Sequence, residues 1–155
     1  MATEANDQYG SIMLGSQLCF PLYACSKEII RKYKPYLDKL DLTYTQYITM
    51  MVMWEKQKVN VKMLGQSLFL DSGTLTPVLK KLETKGYIRR ERSVQDERNL
   101  EVTITDKGMA LREEAVSIPP HIKGCVDLEE KDFAELYRLL YLVLNHINTE
   151  EEVSA

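Results

Sequence analysis

A chain of 155 residues is long enough for one domain with a hydrophobic core and short for two, so residues 1–155 are read as one folding unit. With 45% apolar and 28% charged residues, and neither glycine nor proline enriched, the composition excludes a collagenous, low-complexity or largely disordered protein. The net charge of −3 does not by itself suggest nucleic acid, and three cysteines, an odd number, argue against a structural disulfide framework.

The opening stretch MATEANDQYG is polar and aperiodic, and the closing TEEEVSA is acidic and small, so both ends are expected to fray. From about Leu18 to Tyr33 the apolar residues Leu18, Leu22, Cys25, Ile29 and Ile30 recur at helical intervals, predicting a helix that ends near Lys34-Pro35. A second helix opens with a capping box, Thr43 three residues before Gln46, and its body YITMMVMWEKQ is apolar nearly all round, as a buried helix is. A short third helix follows Asn60 as N-cap through Val61, Leu64 and Leu68. A turn at Leu70-Asp71-Ser72-Gly73 then leads into a fourth, whose buried stripe is Leu75, Val78, Leu79 and Leu82. Pro77 lies early in this fourth helix and Gly86 supplies its left-handed cap.

Tyr87 to Arg92 and Leu100 to Thr105 alternate apolar with polar residues, and the segment SVQDERN joins them as a hairpin tip. Thr105 or Asp106 caps a fifth helix that fades at Ile118-Pro119-Pro120, and Asp127 with Glu130 opens a last long one. Its apolar stripe, Phe133 to Ile147, is wide. The fold class expected is therefore mainly α with a small β-wing: a winged helix-turn-helix over about 43–105, with dimerisation helices over about 14–42 and 106–150.

No basic lead into an apolar run of signal length occurs, and the longest apolar-rich segment, Ile48 to Trp54, is too short for a bilayer, so a cytoplasmic protein that does not engage membranes is expected. His121 and His146 lie far apart without the spacing of a zinc site, and neither a metal nor a cofactor is expected. Charge is unevenly spread. Between Lys80 and Arg92 six basic residues face two acidic ones, a basic run that is either a solvated face or the footprint of a polyanion.

The order of elements and the segment DSGTLTPVLKKLETKGYIRRERSVQDERNLEVTITDKG resemble the multiple-antibiotic-resistance repressor (MarR) family. Within it, QLCFPLYACSKEIIRKYKPYLDKLDLTYTQY and FLDSGTLTP resemble the thiol-based, OhrR-like organic hydroperoxide sensors, the likeness covering about Gln17 to Ala115. The resemblance implies a non-enzymatic homodimeric repressor of a pseudo-palindromic double-stranded operator, with organic hydroperoxide as the reactant. It makes Cys19 the reactive thiol, hydrogen-bonded across the dimer by Tyr33 and Tyr44, and Cys125 the resolving cysteine. It makes Ser72 to Lys81 the recognition helix, with Ser72, Thr74, Thr76, Lys80, Lys81 and Arg90 at DNA, and puts Asp96 and Arg98 on the wing, the arginine in the minor groove.

Each of these readings has a plainer rival. A thiol attacks a peroxide as thiolate, which a helix N-terminus favours, but a free cysteine is also a common small core residue. The chain departs from the subfamily at Pro21, where an apolar helix former is expected; that proline either places Cys19 in the first turn or delays and kinks the helix. Cys25, six positions on, lies on another face and is read as structural, while Cys125 is read in an exposed loop, as a resolving or an unused thiol. A repressor released by a small phenolic ligand, with Cys19 inert, is the alternative function.

Overall fold

The computed structural model describes residues 9–93 and 99–153, and side chains through residue 148. The hairpin-tip residues Asp96 and Arg98 lie outside the described residues, as do residues 1–8 at the opening end. In chain order the elements are α1 (Cys19–Leu37), α2 (Tyr44–Lys56), β1 (Lys58–Asn60), α3 (Val61–Leu68), α4 (Ser72–Thr84), β2 (Ile88–Arg92), β3 (Leu100–Ile104), α5 (Asp106–Ala115), α6 (Ile118–Val126) and α7 (Glu130–Val153). Short 3-10 turns precede α1 and follow it at Asp38–Leu40. The chain divides into two compact units, Met1–Ile122 and Lys123–Ala155, with the boundary inside α6.

Local side-chain chemistry sets most of the helix starts. The Thr43 hydroxyl accepts from the Gln46 N–H at 3.3 Å while the Gln46 amide oxygen accepts from the Thr43 N–H at 3.1 Å, the full capping box of α2. Asn60 caps α3 at 2.7 Å, Asp71 caps α4 at 2.9 Å and Thr105 caps α5 at 3.0 Å. Gly86 takes φ +76 just past α4, where any side chain would be strained.

The first unit encloses the core. Leu64, Leu75, Leu79, Leu82, Met50, Met53 and Val102 are essentially inaccessible, drawn from α2, α3, α4 and β3. The sheet has the order β1-β3-β2, antiparallel throughout, with Val59 opposite Val102 and Ile88 opposite Ile104. Ser93 N–H to Asn99 carbonyl, 2.8 Å, carries the β2–β3 ladder toward the tip. Gly108 opens α5 where a Cβ would sit 2.1 Å from the Tyr87 carbonyl oxygen, and its own carbonyl accepts from Trp54 Nε1 at 2.8 Å, pinning α5 to α2. In the second unit α7 buries none of its described side chains, and Phe133, Leu136, Tyr137, Leu140, Tyr141 and Ile147 all stand exposed.

Several boundaries differ from the sequence reading. α1 continues through Pro35 to Leu37 rather than ending at Lys34; the proline removes one backbone bond, and burial of Leu37 offsets that loss. β1 was not expected, since three residues are too few to show alternation. Ile118-Pro119-Pro120 does not end a helix but begins α6, because prolines in a first turn have no intrahelical N–H bond to lose. Asp127 stands outside α7 with φ 48, and the helix starts at Glu130 and runs to Val153, through residues read as a fraying tail.

Candidate redox site and nucleic-acid interface

Cys19 is the first residue of α1, preceded by Leu18, whose side chain gives no capping bond. Pro21 is the third residue, so its missing N–H falls among the first-turn groups that lack intrahelical acceptors, and the helix is not delayed. The Cys19 thiol is exposed, between the exposed Leu18 and Phe20. Cys25 is exposed on its own chain as well, so nothing within that chain buries it as a structural thiol. Cys125 is exposed but helical, within α6, which corrects the loop expected there.

Tyr33 and Tyr44 meet at the far end of α1. Their rings lie 5.1 Å apart, edge to face, and Tyr33 is also 5.8 Å from Tyr47. Burial raises the phenols of both Tyr33 and Tyr44, with Tyr44 adding to the effect on Tyr33. Burial, reinforced by Tyr33 and Tyr44, pushes Tyr47 up to about 12. All three hydroxyls therefore stay protonated, as donors, at neutral pH. Tyr47 is the member that sequence reasoning missed; its place three residues after Tyr44, on the same face of α2, was the available signal. The tyrosines do not meet their own Cys19: fourteen residues of helix at about 1.5 Å each set Tyr33 about 21 Å along α1 from the thiol.

The outer face of α4 presents Ser72, Thr74, Thr76, Lys80 and Lys81, all exposed. Two of its hydroxyls are held: Thr74 donates to the Asp71 carboxylate at 2.8 Å and Thr76 to the Ser72 carbonyl at 2.6 Å. The Thr74 N–H and hydroxyl together hold the Asp71 carboxyl below its ordinary range. Arg90 differs from the lysines. Its Nε and Nη2 donate to one Glu83 oxygen at 2.9 and 2.6 Å, and its N–H to the other at 2.9 Å, so its charge is engaged in joining β2 to α4. The same contact, its side-chain bond above all, draws the Glu83 carboxyl below its usual value against the opposing effect of burial. Among the described residues no three metal-binding side chains come together, and no helix is long and apolar enough to cross a membrane.

Comparison with known proteins gives this geometry a family. Residues 31–115 match the model described as transcriptional regulator SarA/Rot. The organic hydroperoxide resistance transcriptional regulator of Bacillus subtilis is 43% identical over 142 residues, which are 92% of this chain and 97% of that protein. The HTH-type transcriptional regulator SarZ of Staphylococcus haemolyticus is 50% identical over 120 residues, 77% of each. Among solved structures, reduced AbfR bound to DNA superposes with a TM-score of 0.72 at 34% identity, covering 86% of this chain and 95% of that one; overoxidized AbfR bound to DNA gives 0.73 at 31%, covering 90% and 98%. Relatives of this kind regulate transcription rather than catalyse reactions. The chain belongs to the SarA/Rot family of transcriptional regulators, with the MarR-type winged-helix fold.

Proposed function

We propose that this regulator is a homodimeric DNA-binding repressor whose Cys19 reacts with organic hydroperoxides, and that the resulting disulfide releases the operator. The observation that carries the reading is the separation of about 21 Å along α1 between an exposed Cys19 and the Tyr33–Tyr44 pair. Cys19 and these tyrosines can form one site only across two subunits, and in this reading a chemical change at the thiol acts on the dimer itself. Exposed apolar faces on the N-terminal half of α1 and along α7 supply surface for that second copy. The Bacillus relative named for hydroperoxide resistance supports the choice of oxidant.

The chemistry balances with one oxidant. The Cys19 thiolate attacks the hydroperoxide O–O bond, the alcohol leaves, and Cys19 becomes a sulfenic acid; the thiol of Cys125 from the second subunit condenses with it, losing water. Overoxidized AbfR is found bound to DNA, so in that protein overoxidation is compatible with binding. On this chain we accordingly take the disulfide as the releasing species. Toward DNA, Thr74 and Thr76 have their protons committed and offer acceptor lone pairs and methyl groups to base edges, Ser72 adds a hydroxyl, and Lys80 and Lys81 meet phosphates. We assign Arg98 to the minor groove and keep Asp96, two positions earlier in the sequence, as a further wing contact. Arg90 serves the wing through Glu83 rather than the duplex.

The test uses a duplex selected by the reduced protein from a random pool. Cumene hydroperoxide should abolish binding and give, in non-reducing intact mass, a covalent dimer that reductant reverses together with DNA affinity. Release without any change at Cys19 would overturn the reading in favour of a ligand-driven repressor.

A further inference from the structure

One polar junction lies between the tyrosine cluster and the C-terminal end of α4, and its centre is Lys85. The Lys85 N–H donates to the Lys81 carbonyl at 3.0 Å, closing the helix. Its side chain is only 25% exposed, and Nζ donates to the backbone carbonyl of Asp41 while standing 3.0 Å from the Asp41 carboxylate and 3.4 Å from Gln46 Oε1. The Lys85 carbonyl accepts from Lys107 Nζ at 2.8 Å. One residue thus ties the end of α4 to the corner between α1 and α2 and to the start of α5.

That corner also carries the tyrosines. Gln46 Oε1 is the same atom that accepts the Thr43 N–H in the α2 capping box, and Tyr44 and Tyr47 are the first and fourth residues of α2. Asp41 is held at φ 51, a left-handed conformation that a non-glycine residue keeps only where its surroundings fix it. The Asp41 carboxylate is 87% exposed, so the ionic part of the contact is screened and weak. What a neutral side chain of equal length cannot reproduce is the charge-assisted bond to the Asp41 carbonyl, beside the negative end of the α4 dipole.

We propose that Lys85 is a positioning residue of the switch: it couples displacement of the Tyr33–Tyr44 corner to the recognition helix, so that DNA affinity follows the state of Cys19 in the other subunit. The inference rests on the sensor reading above. The experiment measures affinity for the selected duplex by fluorescence anisotropy, before and after cumene hydroperoxide, with Cys19 oxidation followed by intact mass. Lys85→Met should oxidise at Cys19 like wild type, yet lose about tenfold in reduced affinity, and its ratio of reduced to oxidised affinity should shrink about tenfold. Lys85→Arg should restore most of that ratio, and Asp41→Asn, which keeps the carbonyl, should act more weakly than Lys85→Met. A wild-type ratio in folded Lys85→Met overturns the proposal. Should that variant fail to fold, Lys107→Met, which frees the Lys85 carbonyl without touching Nζ, must lower the ratio at least about threefold, and no change there overturns it equally. If wild type itself shows no response to oxidation, the sensor reading has failed and this proposal falls with it, an outcome distinct from a responsive wild type beside a Lys85→Met variant with an unchanged ratio.

Discussion

The core of the first unit and the α7 helix of the second are both rich in leucine, yet they use it in opposite ways. Leu64, Leu75, Leu79 and Leu82 are sealed inside one chain by α2, α3, α4 and the small sheet, whereas Leu136, Leu139, Leu140 and Leu142 on α7 all remain open. Apolar patterning therefore marks two different situations: one set is buried when the single chain folds, and the other stays open on it and, in the proposed dimer, falls to a second subunit. The same contrast runs along α1, where Leu37 at the C-terminal end is buried and Leu18, Phe20 and Leu22 beside Cys19 are not. Cys19, the proposed reactive thiol, sits on the unsatisfied side, and α4, the proposed recognition helix, on the satisfied one.

The sharpest way to break this contrast is a pair of leucine substitutions. Leu79→Ala should cost about 3 kcal/mol of unfolding free energy at any protein concentration, because it opens a cavity in a core complete within one chain. Leu140→Asp should instead lower stability only through dissociation, shifting the denaturation midpoint with concentration and the sedimentation profile toward monomer. A concentration-independent loss in Leu140→Asp as large as that of Leu79→Ala would erase the distinction. Next in size, Arg98→Ala should weaken operator binding by about 1–3 kcal/mol while leaving the dimer intact; unchanged affinity at fixed salt would remove the wing from the interface.

Smallest is the clamp between α4 and the wing, where Glu83→Gln should cost about 1 kcal/mol, since Arg90 keeps a neutral acceptor but loses the charged one. The folded-state carboxyl of Glu83 is lowered by Arg90, so its stabilisation is present above the ordinary glutamate value of about 4.3 and fades as pH falls through the lower folded value. Denaturation of mutant and wild type should thus differ at pH 7 and converge in acid. A difference that persists with Glu83 fully protonated would assign the effect to packing instead.

The parts of the fold legible in sequence are those encoded locally. Thr43 with Gln46, Asn60 and Thr105 each satisfy backbone groups within three residues, so their caps could be read directly. What sequence does not carry is pairing across distance. A basic run counts Arg90 and Lys85 alike as free charge, but Glu83 takes up the first across a helix–strand turn, and Asp41, forty-four residues earlier, holds the second. Prolines mislead in the same way: Pro119 and Pro120 read as a break because residue type alone does not say whether the missing N–H belonged to a first turn or to a helix interior.

The central claim is that binding and sensing are separable at one atom, Sγ of Cys19. Its most direct test is operator affinity of Cys19→Ser, reduced and after organic hydroperoxide, beside wild type. A serine hydroxyl can hydrogen-bond the tyrosines of the second subunit yet forms neither a sulfenate nor a disulfide. The account predicts reduced affinity close to wild type and no release by peroxide, while wild type loses about 5- to 150-fold. Release of Cys19→Ser by peroxide as readily as wild type would contradict it.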